Sequence, residues 1–476
     1  MLITVCKIIV GQGSARLKLK RLAVLAAGLL VLAASFSVLR SHASAQNPRA
    51  ESAPPARHVL VISVDGMGAN WYMSPPVGLR VPNLRRLMEE GSYAEGVVGV
   101  YPSVTYPSHT TLVTGRMPAE HGVYSNLSSR HAGKNPNDWF WFASAIKVPT
   151  VWDVARESGL TTATVFWPVT TGGRINWDIP EIWDPAKGPA GDPLYIAKFA
   201  TPGLLFEAGL ELGPPKAEVD DDVTRASLAA FVLKKHKPNL LLLHLAALDE
   251  TEHEHGPRSA EAIATLERSD VRIGELLTAV KIAGLADSTD VFIVSDHGFL
   301  PVEREINPNV LLAKAGLLQV DAGGEVTGGK IATLATGGAF FIYWPESQNL
   351  RSEVEAALQP LRDEGVLWGE LGPAAVKDLG AEPAIRLALE APSGAGFDDR
   401  AAGEVVRQLG RTAGTHGYLP FRAGLESSFI AWGPGIKKGV KLGRIPMTAV
   451  APTLLKSLGI EKPGFGSRPA LQEIFK

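Results

Sequence analysis

Cysteine is almost absent from this sequence, which contains only Cys6 among its 476 residues. Because Cys6 lies within the N-terminal leader described below, we expect the mature chain to carry no thiol. This absence excludes disulfide bonds and thiolate metal sites from the mature protein. Any bound metal would therefore be held by His, Asp and Glu side chains.

A long run of basic residues is also missing. The chain has 47 Lys and Arg against 49 Asp and Glu, which gives a formal net charge of −2. Proteins that bind nucleic acids by releasing counterions need concentrated positive charge, so we expect no stable nucleic-acid binding. The hydrophobic content of 45% can bury a large core, which indicates one large domain with insertions or two domains.

One long apolar run is present, at residues 22–39, between a basic segment at 18–21 and small residues that end at Ala45. This order is typical of a secretory signal peptide, residues 1–45, cleaved after Ala45. An uncleaved membrane anchor is the alternative. The polar, proline-rich residues 46–57 are predicted to be a linker. The leader predicts a periplasmic or secreted protein with no membrane partner after cleavage.

Several short apolar runs lack the polar alternation of a half-exposed sheet and are typical of buried strands. They are residues 58–64, 162–167, 239–246, 290–295 and 427–432. Helical patterns fall between them, for instance at 81–91, 150–159 and 259–281. This alternation predicts an α/β fold with a mostly parallel central sheet and helices on both faces.

Residues 302–410 show a weaker alternation of strands and helices and contain the glycine-rich segments GGEVTGG and TGGAFFIYW. We expect this region to be an inserted cap or subdomain. The catalytic domain would then consist of residues 58–301 and 411–476. A simple continuation of the main sheet is the alternative.

Polar side chains follow several of the predicted strands. Ligands bind open parallel sheets at the carboxyl ends of the strands. The polar residues at these ends are Asp65, Asp249, His253, Asp296 and His297, and His416 follows the inserted region. Each alone could be a turn former, a helix cap or a surface residue. Together they offer six nitrogen and oxygen ligands, which suits two divalent ions of zinc, iron or manganese.

The hydroxyl-rich stretch SVTYPSHTTLVTG, residues 103–115, leads into a predicted helix at about 107–114. Pro107 suits the first turn of a helix, where its missing N–H costs nothing. Thr105 would then lie just ahead of the helix N-terminus, which favours an anion. The alternative is that Thr105 is only the helix cap.

Six motifs occur in a fixed order along the chain: VLVISVDGM, TYPSHTTLVTG, HGVYSN, DETEHEHGP, VSDHGF and GTHGY. In this order they resemble the alkaline phosphatase superfamily, and most of all its nucleotide pyrophosphatase/phosphodiesterase (type I phosphodiesterase) family. The resemblance extends from about residue 58 to residue 460. It implies an alkaline phosphatase-like fold.

The resemblance also implies two zinc ions held by carboxylates, imidazoles and one hydroxyl, although other divalent metals accept such ligands. The first ion would be bound by Asp249, His253 and His416, and the second by Asp65, Asp296, His297 and Thr105.

Thr105 would act as the nucleophile and form a covalent phospho-threonine, because a zinc ion lowers the pKa of an oxygen bound to it. Asn126 would hydrogen-bond a phosphoryl oxygen, together with backbone N–H groups near Thr105. The chain departs from the family pattern at Tyr106, where phenylalanine is usual, and at Ser108, where asparagine is usual. Neither departure removes a ligand.

The expected function is a secreted two-zinc hydrolase that cleaves phosphodiester or pyrophosphate bonds in small-molecule phosphate esters, with nucleotide-type substrates favoured. Thr105 excludes the relatives that need a formylglycine nucleophile. Related monoesterases add a Lys-x-Arg pair, which the segment FWPVTTGG at 166–173 lacks, although Arg174 is nearby. A monoesterase, a phosphonoacetate hydrolase-like enzyme and an inactive metal-binding relative are the alternatives.

Overall fold

The computed structural model describes residues 57–127, 139–188, 192–213 and 222–476. The predicted signal peptide, and the predicted linker up to residue 56, lie outside the described residues, so export and cleavage after Ala45 stay predictions. In the part of the chain that is described, no helix has the length and apolar character needed to cross a membrane.

The strands and helices alternate along the chain. The strands are β1 (His58–Val64), β2 (Ser92–Val98), β3 (Thr162–Val165), β4 (Trp177–Ile179), β5 (Leu240–Leu245), β6 (Thr289–Val294), β7 (Leu300–Ile306), β8 (Leu318–Val320), β9 (Val326–Gly329), β10 (Ala332–Ala335), β11 (Ala339–Tyr343), β12 (Gly369–Leu371), β13 (Leu387–Glu390), β14 (Gly394–Phe397), β15 (Val406–Thr415), β16 (Phe429–Trp432) and β17 (Val440–Pro446). The helices are α1 (Asn70–Met73), α2 (Pro82–Glu90), α3 (Thr105–Thr114), α4 (Pro118–His121), α5 (Val151–Glu157), α6 (Pro193–Ile196), α7 (Leu204–Leu212), α8 (Asp222–His236), α9 (Ala247–His255), α10 (Ala260–Ile282), α11 (Pro308–Lys314), α12 (Arg351–Ala357), α13 (Gln359–Asp363), α14 (Pro373–Asp378) and α15 (Val450–Ser457).

The central sheet has eight strands in the order β17-β2-β16-β6-β1-β5-β3-β4. Its neighbours pair in parallel except around β16, which is antiparallel to both β2 and β6. The predicted α/β fold with a mostly parallel sheet is therefore confirmed. The apolar run at 427–432 does form a strand, but it runs against its neighbours, because periodicity predicts burial and not direction.

Helices cover both faces of this sheet, as alternate residues of β1 show. Ile62 packs in the same apolar cluster as Phe231 of α8, whereas Val61 belongs to the cluster that contains Leu454 of α15. Because side chains alternate between the faces of a strand, a strand buried on both sides is apolar throughout. This explains the unbroken apolar run at the start of the domain.

The strands β7 to β15 build three smaller sheets and do not join the central one. These are β10-β11-β13-β12, β14-β7-β15 and the β8-β9 hairpin. Phe340 and Leu389 lie in an apolar cluster of this region. The segment from β7 to β15 therefore has its own sheets. The expected cap subdomain at residues 302–410, with its division at 301/302 and 410/411, stays a prediction.

Candidate functional site

The predicted ligands gather at the carboxyl end of the central sheet. Asp65 directly follows β1, which lies between β5 and β6 in the sheet. Asp296 and His297 follow β6 in the same way. Since neighbouring parallel strands end at the same edge, these side chains are brought together by the topology alone.

The other predicted ligands lie on the helix after β5 and at the end of β15. Asp249 and His253 are four residues apart on α9, so they lie on one face of that helix. His416 directly follows β15, a long strand of the β14-β7-β15 sheet. Ligand atoms of Asp249, His253 and His416 all lie within 4.8 Å of one another.

A second group of ligand atoms shares Asp249 with the first. Asp65, Asp249 and His297 also have ligand atoms within 4.8 Å of one another. His297 Nε2 is 3.4 Å from Asp65 Oδ1, 3.0 Å from Asp296 Oδ2 and 3.9 Å from Asp249 Oδ1. The resemblance assigned Asp249 to one ion only, whereas the geometry places it between the two groups.

The two histidines of the first group each hold a backbone carbonyl with Nδ1. His253 Nδ1 donates to the Gly414 carbonyl at 3.1 Å, and His416 Nδ1 donates to the Ser103 carbonyl at 3.0 Å. Because Nδ1 of each ring is held in this way, Nε2 is the atom that faces Asp249, at 3.6 Å in both cases. The two Nε2 atoms are only 3.1 Å apart, a contact that a shared cation would stabilise. Burial, followed by the nearby rings of His297 and His253, lowers the pKa of His416 well below its ordinary value.

The second group and Asp296 contain buried polar atoms without a well-aligned hydrogen bond. Among the described residues, Asp65 Oδ1 and Asp249 Oδ1 have no hydrogen-bond partner, and His297 Nε2 and Asp296 Oδ2 have only their mutual contact at 3.0 Å. Such atoms are costly to bury unpaired. Burial, and then the charges of Asp296 and Asp249, raise the pKa of Asp65 well above its ordinary value. The donor set therefore fits divalent cations, which would pair with these atoms and neutralise the carboxylates.

Thr105 is the first residue of α3 and not its cap. The N-cap position belongs to Val104, which makes no side-chain capping bond. The predicted helix start at about residue 107 was therefore late by one half-turn. Thr105 lines a cavity of about 280 Å³ together with Asp65, Asp249 and His416. His253 lines the same cavity, whereas Asp296 and His297 do not.

Other hydroxyls of the same stretch are committed to the backbone. Thr110 Oγ1 donates to the Tyr106 carbonyl at 2.8 Å, and Thr114 Oγ1 donates to the Thr110 carbonyl at 2.7 Å. Ser103 Oγ donates to the Tyr418 carbonyl at 2.8 Å. These side chains hold the helix and its neighbours in place and do not line the cavity.

Asn126 also lines the cavity, and one hydrogen bond sets the orientation of its amide. Its Oδ1 accepts the Tyr106 N–H at 2.9 Å, which leaves its NH2 group as the free end of the amide. This contact occupies the Tyr106 N–H, so the expectation that backbone N–H groups near Thr105 bind a phosphoryl oxygen stays a prediction for the other N–H groups.

Four aromatic side chains belong to the lining of the cavity and are called the aromatic wall below. Tyr106, Trp139, Phe166 and Trp183 line it, and the ring centroids of Trp139 lie 5.3 Å from Tyr106 and 4.7 Å from Trp183. Trp71, Trp141 and Trp167 are buried in the core. The wall is suited to an aromatic group of a ligand.

Several residues that line the cavity were not identified from the sequence, among them a buried group of two charged side chains and a histidine. His244 lies within β5, Glu181 follows β4, and Arg225 comes from α8. Glu181 could have been found by the same rule that found Asp65, because it lies just beyond the end of a strand in the same sheet. His244 had a weaker signal, a single imidazole within the leucine run NLLLLHLA.

Known proteins share this sequence pattern. The sequence model of the type I phosphodiesterase/nucleotide pyrophosphatase family matches residues 59–364. Human ectonucleotide pyrophosphatase/phosphodiesterase family member 1 is 28% identical over 263 residues, which cover 53% of this chain and 24% of the human protein. Venom phosphodiesterase 2 of Crotalus adamanteus is 28% identical over 252 residues, which cover 50% of this chain and 26% of the venom protein. The chain thus spans about a quarter of the length of these relatives.

Solved structures share the fold. Murine ectonucleotide pyrophosphatase/phosphodiesterase 5 superposes with a TM-score of 0.65 at 18% identity, covering 88% of this chain and 100% of the murine one. An inactive threonine-to-alanine variant of the murine protein, in complex with AMP, matches with the same TM-score. The sequence match extends over more than half of the chain, from residue 59 to residue 364, and the chain therefore belongs to the type I phosphodiesterase/nucleotide pyrophosphatase family.

Proposed function

We propose that this protein is a two-zinc phosphodiesterase/nucleotide pyrophosphatase that hydrolyses small nucleotide-type phosphate diesters through a covalent phospho-threonine. The observation that carries the proposal is that Asp65 and Asp249, each with a buried oxygen that has no hydrogen-bond partner among the described residues, line the same cavity as Thr105. One ion would be held by Asp249, His253 and His416, and the other by Asp65, Asp296, His297 and Thr105, with Asp249 close to both.

Bound zinc would supply a lowered pKa for the threonine hydroxyl and positive charge for the phosphoryl oxygens. Thr105 Oγ forms a bond to phosphorus, and the bond to the leaving oxygen breaks. Water then cleaves the phospho-threonine ester and restores the hydroxyl. The amide of Asn126 donates to a non-bridging oxygen, where negative charge grows in the transition state.

Two observations support a nucleotide-type diester as the substrate. The aromatic wall of Tyr106, Trp139 and Trp183 offers faces and edges against which a base can pack. A relative of the same fold has been solved in complex with AMP. The substrate group next to the wall would therefore be a nucleobase or another aryl group.

The charges around the cavity favour a diester over a monoester. Arg174 is exposed and does not line the cavity, so it does not replace the Lys-x-Arg pair of the monoesterases. Arg225 does line it, but its NH1 is 3.2 Å from the buried Glu181 carboxylate, which offsets its charge. A dianionic monoester would therefore gain less from this cavity than a monoanionic diester would.

Kinetics on two chromogenic esters test the proposal. We expect kcat/KM to be higher on the p-nitrophenyl ester of a nucleoside monophosphate than on p-nitrophenyl phosphate. We expect EDTA to abolish turnover and zinc to restore it. Thr105→Ala should lower kcat by roughly 10³-fold or more, whereas Thr105→Ser should retain part of the activity. Thr114→Ala is the control, because it removes a hydroxyl of the same helix outside the cavity, and it should change kcat little.

A rapid acid quench followed by peptide mass spectrometry should detect a nucleotidyl adduct on Thr105. A preference for the monoester would favour a monoesterase instead. Turnover that survives both EDTA and Thr105→Ala would refute the mechanism. Zinc binding without turnover of any ester would favour an inactive relative.

A further inference from the structure

A buried imidazole bridges one predicted metal ligand and a second carboxylate. His244 Nε2 is 2.9 Å from Asp65 Oδ2, and His244 Nδ1 is 2.7 Å from Glu181 Oε2. All three side chains are buried. The sheet register creates the first contact, because His244 of β5 pairs with Ser63 of β1, two residues before Asp65.

This bridge gives the two carboxylate oxygens of Asp65 different surroundings. Oδ2 is bonded to His244, whereas Oδ1 has no hydrogen-bond partner among the described residues and lies 3.4 Å from His297 Nε2. A carboxylate free to rotate would exchange these two positions. With Oδ2 held, Oδ1 stays directed toward the second ligand group.

The far end of the bridge is also fixed. Arg225 NH1 donates to Glu181 Oε2 at 3.2 Å and to the His244 carbonyl at 3.2 Å. The Arg225 guanidinium lies 4.5 Å from the centroid of the Phe166 ring, over its face. Although burial opposes it, contact with His244 and Arg225 lowers the pKa of Glu181 to about 2. Glu181 is therefore an ionised acceptor at neutral pH, and it keeps the imidazole from turning.

We propose that Arg225, Glu181 and His244 form a positioning chain that holds Asp65 with Oδ1 toward the metal and thereby selectively strengthens metal binding by the second ligand group. This inference rests on the proposed function, because it concerns the metal of that site. Partners that orient a ligand in this way typically change metal affinity by roughly 10- to 100-fold. The first group, Asp249, His253 and His416, lacks Asp65 and should be affected much less.

Metal binding by the apoprotein tests the inference without relying on turnover. Zinc affinity would be measured by competition with a chromophoric chelator for the wild type, His244→Phe and Glu181→Gln. His244→Phe keeps a ring in the strand but removes both hydrogen bonds. We expect it to weaken one of two zinc sites by about 10- to 100-fold and to leave the other within a few fold. Glu181→Gln should weaken the same site, by a smaller factor.

Asp178→Asn is the matched control, because Asp178 is a buried carboxyl close to Glu181 in the chain. It differs in that it accepts hydrogen bonds from Thr164 and Thr170 and does not line the cavity. Its zinc affinities should equal those of the wild type. The melting temperature of each apoprotein, measured alongside, separates a general loss of stability from a loss of metal affinity.

Wild-type affinities in a folded His244→Phe variant would overturn the inference, as would equal weakening of both sites. A lower melting temperature with unchanged zinc affinity would assign His244 a purely structural role and overturn it as well. If His244→Phe does not fold, Glu181→Gln decides by the same criteria. A wild type that binds no zinc would instead refute the proposed function, so the two failures are distinguishable.

Discussion

Replacement of Asn126 by aspartate changes one donor in the cavity while preserving its shape. The Asn126 Oδ1 accepts the Tyr106 N–H at 2.9 Å, and a carboxylate oxygen can accept the same bond. The other end of the side chain changes from an N–H donor to an anionic acceptor. Asn126→Asp should therefore fold normally and bring negative charge next to the phosphoryl oxygens that Asn126 is proposed to stabilise.

Two effects add to the expected loss. Removing one donor to an oxygen that gains charge in the transition state lowers kcat by about 10²- to 10³-fold, or about 2.7–4 kcal/mol. Two like charges about 4 Å apart at an effective dielectric of about 20 repel by about 4 kcal/mol, part of which the bound metals would offset. Asn126→Ala should lose roughly the first amount only, so Asn126→Asp should be the slower variant.

Steady-state kinetics on a chromogenic nucleotide diester, with zinc content and melting temperature measured in parallel, provide the assay. We expect the loss to appear in kcat more than in KM, because the contact strengthens in the transition state. Asn176→Asp is the control, since Asn176 Oδ1 likewise accepts a backbone N–H, from Thr162 at 3.0 Å, but the residue does not line the cavity. If Asn126→Asp retains its zinc and keeps kcat within about tenfold of wild type, the assigned contact is refuted.

Two further changes test the buried charge and the aromatic wall. Burial raises the pKa of Asp178 from 3.8 to about 7. Between these pH values the folded chain keeps a proton that the unfolded chain releases. The free energy of unfolding therefore falls as the pH rises, by up to about 4 kcal/mol. Asp178→Asn should therefore raise the melting temperature, relative to wild type, more at about pH 8 than at about pH 4.5, and equal differences at both pH values would contradict this cause. Trp183→Ala should raise KM about tenfold for a nucleotide diester, which is the loss expected for one stacking contact of about 1–3 kcal/mol. For a dialkyl phosphate, which has no aromatic group, KM should change little. An equal rise in KM for both substrates would mean that Trp183 does not contact the aromatic group.

The ligands were predictable because a local rule identifies them. Asp65 and Asp296 each follow an apolar run, and the ends of neighbouring parallel strands meet at one edge of the sheet. No knowledge of strand order was needed to nominate them, since every parallel strand delivers its last residues to the same edge. The antiparallel direction of β16 was beyond this reasoning, because a buried strand is apolar whichever way it runs.

Features that depend on pairing and on local backbone geometry were not predictable in the same way. Whether Thr105 is the cap or the first residue of α3 depends on the conformation of Val104, which is extended with φ −128° and ψ 162°. The proximity of Asp249 to both ligand groups depends on the direction in which α9 leaves β5. Neither is encoded by hydrophobic periodicity.

The residues that orient the site follow a different logic from the ligands. His244 contacts Asp65 only because β5 pairs with β1 in the register that places it opposite Ser63. A shift of this register by one residue would direct its imidazole to the other face of the sheet. A single histidine in a leucine run is therefore informative once the register is known: the strand tolerates an imidazole there because Asp65 and Glu181 occupy both of its nitrogens. The ligands of such a site can be read from the ends of strands, whereas their supports must be read from the pairing between strands.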